Sequence, residues 1–86
     1  MKKFENLEFK PHSIGGIQAR MNFDNKYGVS VVCGSMFYSN GIDTYELGVL
    51  YEGSLTYNTY ITDDVLGGLS ADEVTDIMVK VQKLNN

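Results

Sequence analysis

Apolar and polar residues alternate with a period of two along separate runs of this chain, and turn-forming residues stand between the runs. Successive side chains of a strand point to opposite faces, so each run has one face to bury. From 17 to 23, Ile17, Ala19, Met21 and Phe23 share one side while Gln18, Arg20 and Asn22 take the other. Val29, Val31 and Cys33 then oppose Ser30 and Val32, and from 44 to 52 Tyr45, Leu47, Val49 and Tyr51 oppose Glu46, Gly48, Leu50 and Glu52. The β-branched Val29–Val32 stretch suits a pleated surface, and an apolar Val32 on the second face marks a central strand. Asp24-Asn25-Lys26-Tyr27-Gly28 is turn chemistry. Glu52-Gly53 fits a two-residue hairpin turn into a fourth strand over 54–60, where Leu55, Tyr57 and Thr59 alternate with Thr56, Asn58 and Tyr60. Tight turns join antiparallel neighbours, so residues 17–61 are expected to form an antiparallel β-meander.

A helix follows by different signals. Ser70-Ala71-Asp72-Glu73 is a capping box, in which the serine hydroxyl accepts from the Glu73 amide and the Glu73 carboxylate reaches back to the Ser70 amide. Leu69 and Val74 can staple the entry. Asp72, Glu73 and Asp76 lie at the positive end of the helix dipole, and Lys80 and Lys83 at the negative end. Val74, Ile77, Met78, Val81 and Leu84 keep the 3.6-residue period and define the face to lay on the sheet. The expected fold is α+β: a four-stranded antiparallel meander, five-stranded if residues 7–10 add an edge, with one C-terminal amphipathic helix over 70–84 on one face. Residues 1–16, punctuated by Pro11 and Gly15-Gly16, read as a lead-in. Residues 62–69 read as a turn or short helix, capped by Thr62 and stopped by Gly67-Gly68. With 86 residues, only ~60% of the unfolded surface can be buried, which implies one domain, 1–86, around one core.

The charge layout narrows the partners. Between Tyr27 and Val79 stand eight acidic residues, Asp43, Glu46, Glu52, Asp63, Asp64, Asp72, Glu73 and Asp76, and no lysine or arginine. The net charge is −4. Nucleic-acid binding depends on Lys and Arg neutralising phosphate, so direct DNA or RNA binding is not expected. Carboxylates of this kind commonly serve solubility alone; the sharper reading is recognition of a basic protein surface. No apolar run approaches the ~20 residues that span a bilayer. Met1-Lys2-Lys3 leads into Phe4-Glu5-Asn6-Leu7-Glu8 rather than a hydrophobic signal core. A protein of the reducing cytosol, neither secreted nor membrane-bound, is expected, in keeping with a single cysteine.

Catalytic and metal chemistry finds little to stand on. Asp63-Asp64 invites a shared hard cation, yet no further ligand follows at calcium-loop spacing, and carboxylates at a helix start account for the pair. His12 sits beside Pro11 in a glycine-rich segment, and Cys33 occupies an apolar strand position, where a free thiol behaves as a small hydrophobe. One histidine and one cysteine without an orienting third group do not make a nucleophile set. No catalytic residue, metal or cofactor is therefore expected, and the chain is read as non-enzymatic. Gly15-Gly16, Gly67-Gly68 and Ser39-Asn40-Gly41 lack the context of a phosphate-binding loop. Met36, Phe37 and Tyr38, three large side chains in the loop around Asn40-Gly41, are harder to explain as turn chemistry. Tyr45, Tyr51, Tyr57 and Tyr60 crowd two adjacent strands, where cross-strand packing is the usual role and an exposed tyrosine and acidic face the functional one.

Tyr27-Gly28-Val29-Ser30-Val31-Val32, then Tyr45-Glu46-Leu47-Gly48-Val49-Leu50, then the run from Leu55 through Thr62-Asp63-Asp64-Val65-Leu66-Gly67, resemble a family of small accessory proteins encoded by tailed bacteriophages. There YGVSVV, YELAVL and LTYDTPITDDVIGYLT recur in this order. The resemblance covers most of the chain from Ile17 onward; Asn58, Tyr60 and Gly68 depart from the family's Asp, Pro and Tyr. It implies a source, the cytosol of a phage-infected bacterium, and no mechanism. Together with the acidic stretch it gives the preferred expectation: a phage-encoded, non-enzymatic inhibitor of a host protein, an anti-defence protein such as an anti-CRISPR. The contacts would come from Asp43, Glu46, Glu52, Asp63 and Asp64, with Tyr45, Tyr57 and Tyr60 supplying area. The alternative is a binder that sequesters a nucleotide immune signal at a homodimer interface, stacking it on Tyr38 or Tyr60 and holding its phosphates with Arg20, Lys26 and the Gly15-Gly16 amides.

Overall fold

A computed structural model of the chain, describing residues 1–62 and 64–85, turns the alternating runs into strands. Strands β1 (Lys10–Pro11), β2 (Ile17–Asn22), β3 (Tyr27–Cys33), β4 (Tyr45–Tyr51) and β5 (Ser54–Leu55) pair antiparallel in sequence order. A further strand, β6 (Leu66–Leu69), also pairs antiparallel with β4, and helix α1 (Ala71–Gln82) packs on one face. The fold is α+β.

The register follows the hydrophobic pattern. Met21, Val29 and Val49 line up across three strands, as do Ala19, Val31 and Leu47, so one face of the sheet presents a continuous apolar surface. Val29, Val31, Leu47 and Val49 meet Val74, Met78 and Val81 of α1 in the core. Ser70 Oγ accepts from the Glu73 amide at 3.2 Å, and Glu73 Oε1 accepts from the Ser70 amide at 3.0 Å, which completes the capping box. At the other end Asn25, in the β2–β3 turn, donates from Nδ2 to the carbonyls of Val81 and Leu84, both at 2.9 Å. The last carbonyls of a helix have no partner within it, so this side chain both caps α1 and ties it to the hairpin. Glu52 (φ 51°) and Gly53 (φ 87°) form the tight β4–β5 turn with both central residues left-handed.

Three segments differ from their sequence reading. The expected strand over 54–60 stops early. β5 pairs Ser54 with Tyr51 and Leu55 with Leu50, and the Thr56 amide still donates to Val49. Continuing that register would place Asn58 opposite Leu47, yet Leu66 stands there. The chain therefore loops out after Thr56 and returns to the same edge of β4. The expected turn or short helix over 62–69 consequently ends as strand β6, with an irregular register between Tyr45 and Leu47. Unpaired backbone groups along β4 favour this, because strand donors and acceptors left without partners are costly.

The lead-in is the third. Residues Phe4–Asn6 make a short 3-10 turn, and the Lys2 and Phe4 amides donate to Gln82 Oε1 and Thr75 Oγ1 of α1 at 2.9 and 3.0 Å. Phe4, Leu7 and Phe9 then pack against the core. Of the edge expected over 7–10 only Lys10 is in a strand: β1 is the two-residue pair Lys10–Pro11, and Leu7 and Phe9 pack on the core instead.

Candidate protein-binding surface

The face of β4 turned away from α1 carries Glu46, Gly48 and Leu50. Gly48 is a point of close approach: a Cβ there would lie 2.6 Å from Leu55 Cδ2 and 3.5 Å from Val65 Cγ1. Leu55 and Val65, which begin and end the looped-out segment, thus close over the strand where it lacks a side chain. Leu50 and Val32 are buried on this same face. Arg20, carried on β2, donates from its guanidinium to the Gly53 carbonyl beyond the end of β4.

Next to Gly48, the loop between β3 and β4 comes down on β6. Gly67 allows it: a Cβ at that position would meet Tyr38 Cβ at 2.5 Å and the Tyr38 carbonyl oxygen at 3.0 Å. The Gly68 amide donates to the Tyr38 carbonyl at 2.8 Å, and the Tyr38 amide donates to Glu46 Oε1 at 3.0 Å. Tyr38 is thereby pinned by its backbone to β4 and β6.

The loop's polar side chains bond its own backbone. Asn40 Oδ1 accepts from the amides of Ile42, Asp43 and Thr44 at 2.9, 3.0 and 3.0 Å. Asn40 Nδ2 donates to Asp43 Oδ1, and Thr44 Oγ1 accepts from the Asn40 amide, each at 2.7 Å. Ser39 Oγ accepts from the Gly34 and Gly41 amides and donates to the Gly34 carbonyl. Phe37 turns inward against His12, ring centroids 5.3 Å apart, and His12 Nδ1 accepts from the Ile14 amide. Met36, Tyr38 and Ile42 remain 69%, 71% and 81% exposed, and Tyr60 in the looped-out segment 77%. Large apolar side chains held out of an ordered loop are what a protein contact uses.

The structure distributes the expected contact residues over three places. Asp43 and Asp64 are exposed, on the 34–44 loop and at the approach to β6, and Glu46 is half-buried and accepts from the Tyr38 amide. Tyr57 and Tyr60 are exposed in the looped-out segment. Glu52 sits in the β4–β5 turn, about 20 Å from Glu46 at the usual rise per residue, so it does not share their surface. Tyr45 points to the helix side, where its ring lies 5.0 Å from Phe4 and 5.7 Å from Phe9. Burial there, and after it the Cys33 thiol and the Asp43 carboxylate, push the Tyr45 hydroxyl above its ordinary range. Asp63 lies outside the described residues. Met36 and Ile42 were absent from the expected contacts; the sequence signal for them was the unusual bulk around Ser39-Asn40-Gly41.

The groups expected to hold a nucleotide do not converge. Gly15 and Gly16 form the β1–β2 turn at one end of β2, whereas the Arg20 guanidinium, on the Gly53 carbonyl, and Lys26, whose carbonyl accepts from the Glu52 amide, both reach the β4–β5 turn at the other. Cys33 is buried. Among the described residues, no three His, Cys, Asp or Glu side chains gather as a metal site requires, and no helix is long and apolar enough to cross a membrane. Compared with protein-family models, curated proteins and solved structures, the chain matches none.

Proposed function

We propose that this chain is a non-enzymatic protein of phage origin that inhibits a host protein in the bacterial cytosol by occupying a basic surface, as an anti-defence protein would. One observation carries the reading: the loop over 34–44 is seated on β6 through Tyr38 and Gly67 and on β4 through Glu46, and it holds Met36, Tyr38 and Ile42 exposed beside Asp43. No lysine or arginine from the whole stretch between Tyr27 and Val79 offsets the carboxylates of that stretch. Grooves that hold nucleic acid are lined with Lys and Arg, and a negative face competes for them. The resemblance to small phage accessory proteins supplies only the source; in that setting a host protein, a defence effector such as a CRISPR nuclease, is the proposed target class. Asp43, Glu46 and Asp64 would meet its basic side chains, and Tyr57 and Tyr60 would add area.

The test is affinity capture with tagged protein from bacteria carrying a defence system, at low and at high salt, with plaque counts of a sensitive phage on the same cells. The expected result is a host protein retained at low salt and released at high salt, and more plaques when the chain is expressed. Capture that retains no protein at low salt, with plaque counts unchanged, defeats the proposal.

A further inference from the structure

Within that reading, on which this inference rests, we infer that the 34–44 loop is the anchor of the contact: Ile42, flanked by Met36 and Tyr38, enters an apolar recess of the partner whose rim carries Lys or Arg. Two independent features of the loop lead there. The first is its order. Asn40 Oδ1 gathers three backbone amides, Ser39 Oγ gathers two and a carbonyl, and Tyr38 is fixed on Gly67 and Glu46. A segment already held in one conformation loses little freedom on docking, which favours binding at a given contact area. Yet Ile42 is the most exposed large apolar side chain among the described residues. An ordered loop that gains nothing for its own fold from Ile42 or Met36 presents them outward.

The second feature is charge, and it selects the occupant. Asp43 adjoins Ile42, and Asp64 precedes the strand that Tyr38 rests on. An acidic partner would set these carboxylates against like charge, and a neutral one would offer them no counter-ion, whereas cations on the partner are attracted to both. A recess rimmed by cations answers both the apolar tip and its acidic border. Such an arrangement, an apolar anchor in a pocket with a polar rim excluding water, concentrates binding in few side chains.

The experiment places p-benzoylphenylalanine at Ile42, and separately at Lys80 on the exposed side of α1, and irradiates defence-bearing cells expressing each variant. The inference expects a host-protein adduct from position 42 and none from 80. Mass spectrometry should place the crosslink on an apolar residue with Lys or Arg close by in the partner's structure or sequence. Ile42→Ser should weaken binding of the purified partner at least tenfold while leaving the melting temperature unchanged, because the side chain is exposed. Adducts from position 80 alone would overturn this assignment and leave the binding role standing. Adducts from neither position would remove both. A crosslink at 42 to an acidic segment, or full affinity of Ile42→Ser, would refute the stated anchor and partner chemistry.

Discussion

Replacing Gly67 by alanine tests the seating of the 34–44 loop on β6 in a way that yields a number. Gly67 needs no left-handed backbone, so alanine there meets no backbone strain and its cost is steric, offset by ~0.4–1 kcal/mol from the stiffer unfolded chain. Carbon atoms in contact sit ~3.5–4.0 Å apart. The added Cβ would fall 2.5 Å from Tyr38 Cβ and 3.0 Å from the Tyr38 carbonyl oxygen, so Tyr38 must retreat by about 1 Å. Retreat weakens the hydrogen bond from the Gly68 amide to that carbonyl. Overpacking of this kind costs ~1–3 kcal/mol, and loss of the bond adds ~0.5–1.5 kcal/mol. A destabilisation of ~1.5–4.5 kcal/mol, less that offset, is expected, which lowers the urea midpoint by ~1–3 M for a domain of this size. Hydrogen exchange should rise over 35–42 and 66–69, with the amides of β3 and α1 less affected. The Tyr38→Gly background supplies the control: without a Cβ on residue 38, the cost of Gly67→Ala should fall by at least half. An unchanged urea midpoint for Gly67→Ala, or an equal cost in both backgrounds, would show that Tyr38 does not rest on β6.

Met78, fully buried between sheet and helix, should lose ~2–5 kcal/mol on truncation to alanine, measured by urea unfolding. Asn25→Ala removes the hydrogen bonds to the Val81 carbonyl at the end of α1 and to the Leu84 carbonyl just past it, and should cost ~1–2 kcal/mol, with fraying of 80–84 visible by hydrogen exchange. Tyr45 titrates above its ordinary value when folded, so its neutral form stabilises the fold in full below pH 10.0 and that contribution is lost as pH climbs through the raised value. Thermal melts of Tyr45→Phe should therefore decline less steeply above pH 10.0 than those of the natural chain; parallel declines would contradict the buried phenol.

Elements with a strong local period were legible in the sequence. β2, β3 and β4 alternate cleanly, and α1 carries its cap and apolar stripe in its own residues. What escaped was set by neighbours. Leu66-Gly67-Gly68-Leu69 has no strand pattern, and its glycines read as a helix stop. It is a strand because β4 offers a free edge at Tyr45–Leu47 and because Gly67 leaves room for Tyr38. Leu55 to Tyr60 alternates convincingly, but the alternation continues after the chain has left the sheet. Phe4, Leu7 and Phe9 lie in segments too short to declare themselves, and reach the core through backbone bonds to Thr75 and Gln82 side chains. For the surface, sequence identified the carboxylates and tyrosines by type. The alternation already put Tyr45 on the side of Leu47 and Val49, and the length of a strand already separates Glu46 from Glu52, but grouping residues by type hid both. The order of the 34–44 loop shows only in the hydrogen bonds of Asn40.

The most direct measurement is the dissociation constant for the captured host protein as salt rises from 0.1 to 1 M, compared between the natural chain and Asp43→Asn/Asp64→Asn. Over that range the screening length falls from ~10 to ~3 Å, and contacts at a charged rim weaken accordingly. The natural chain should lose affinity steeply, and the double variant should start weaker and show a shallower slope. Affinity independent of salt, or identical curves for the two proteins, would contradict recognition through this acidic, apolar surface.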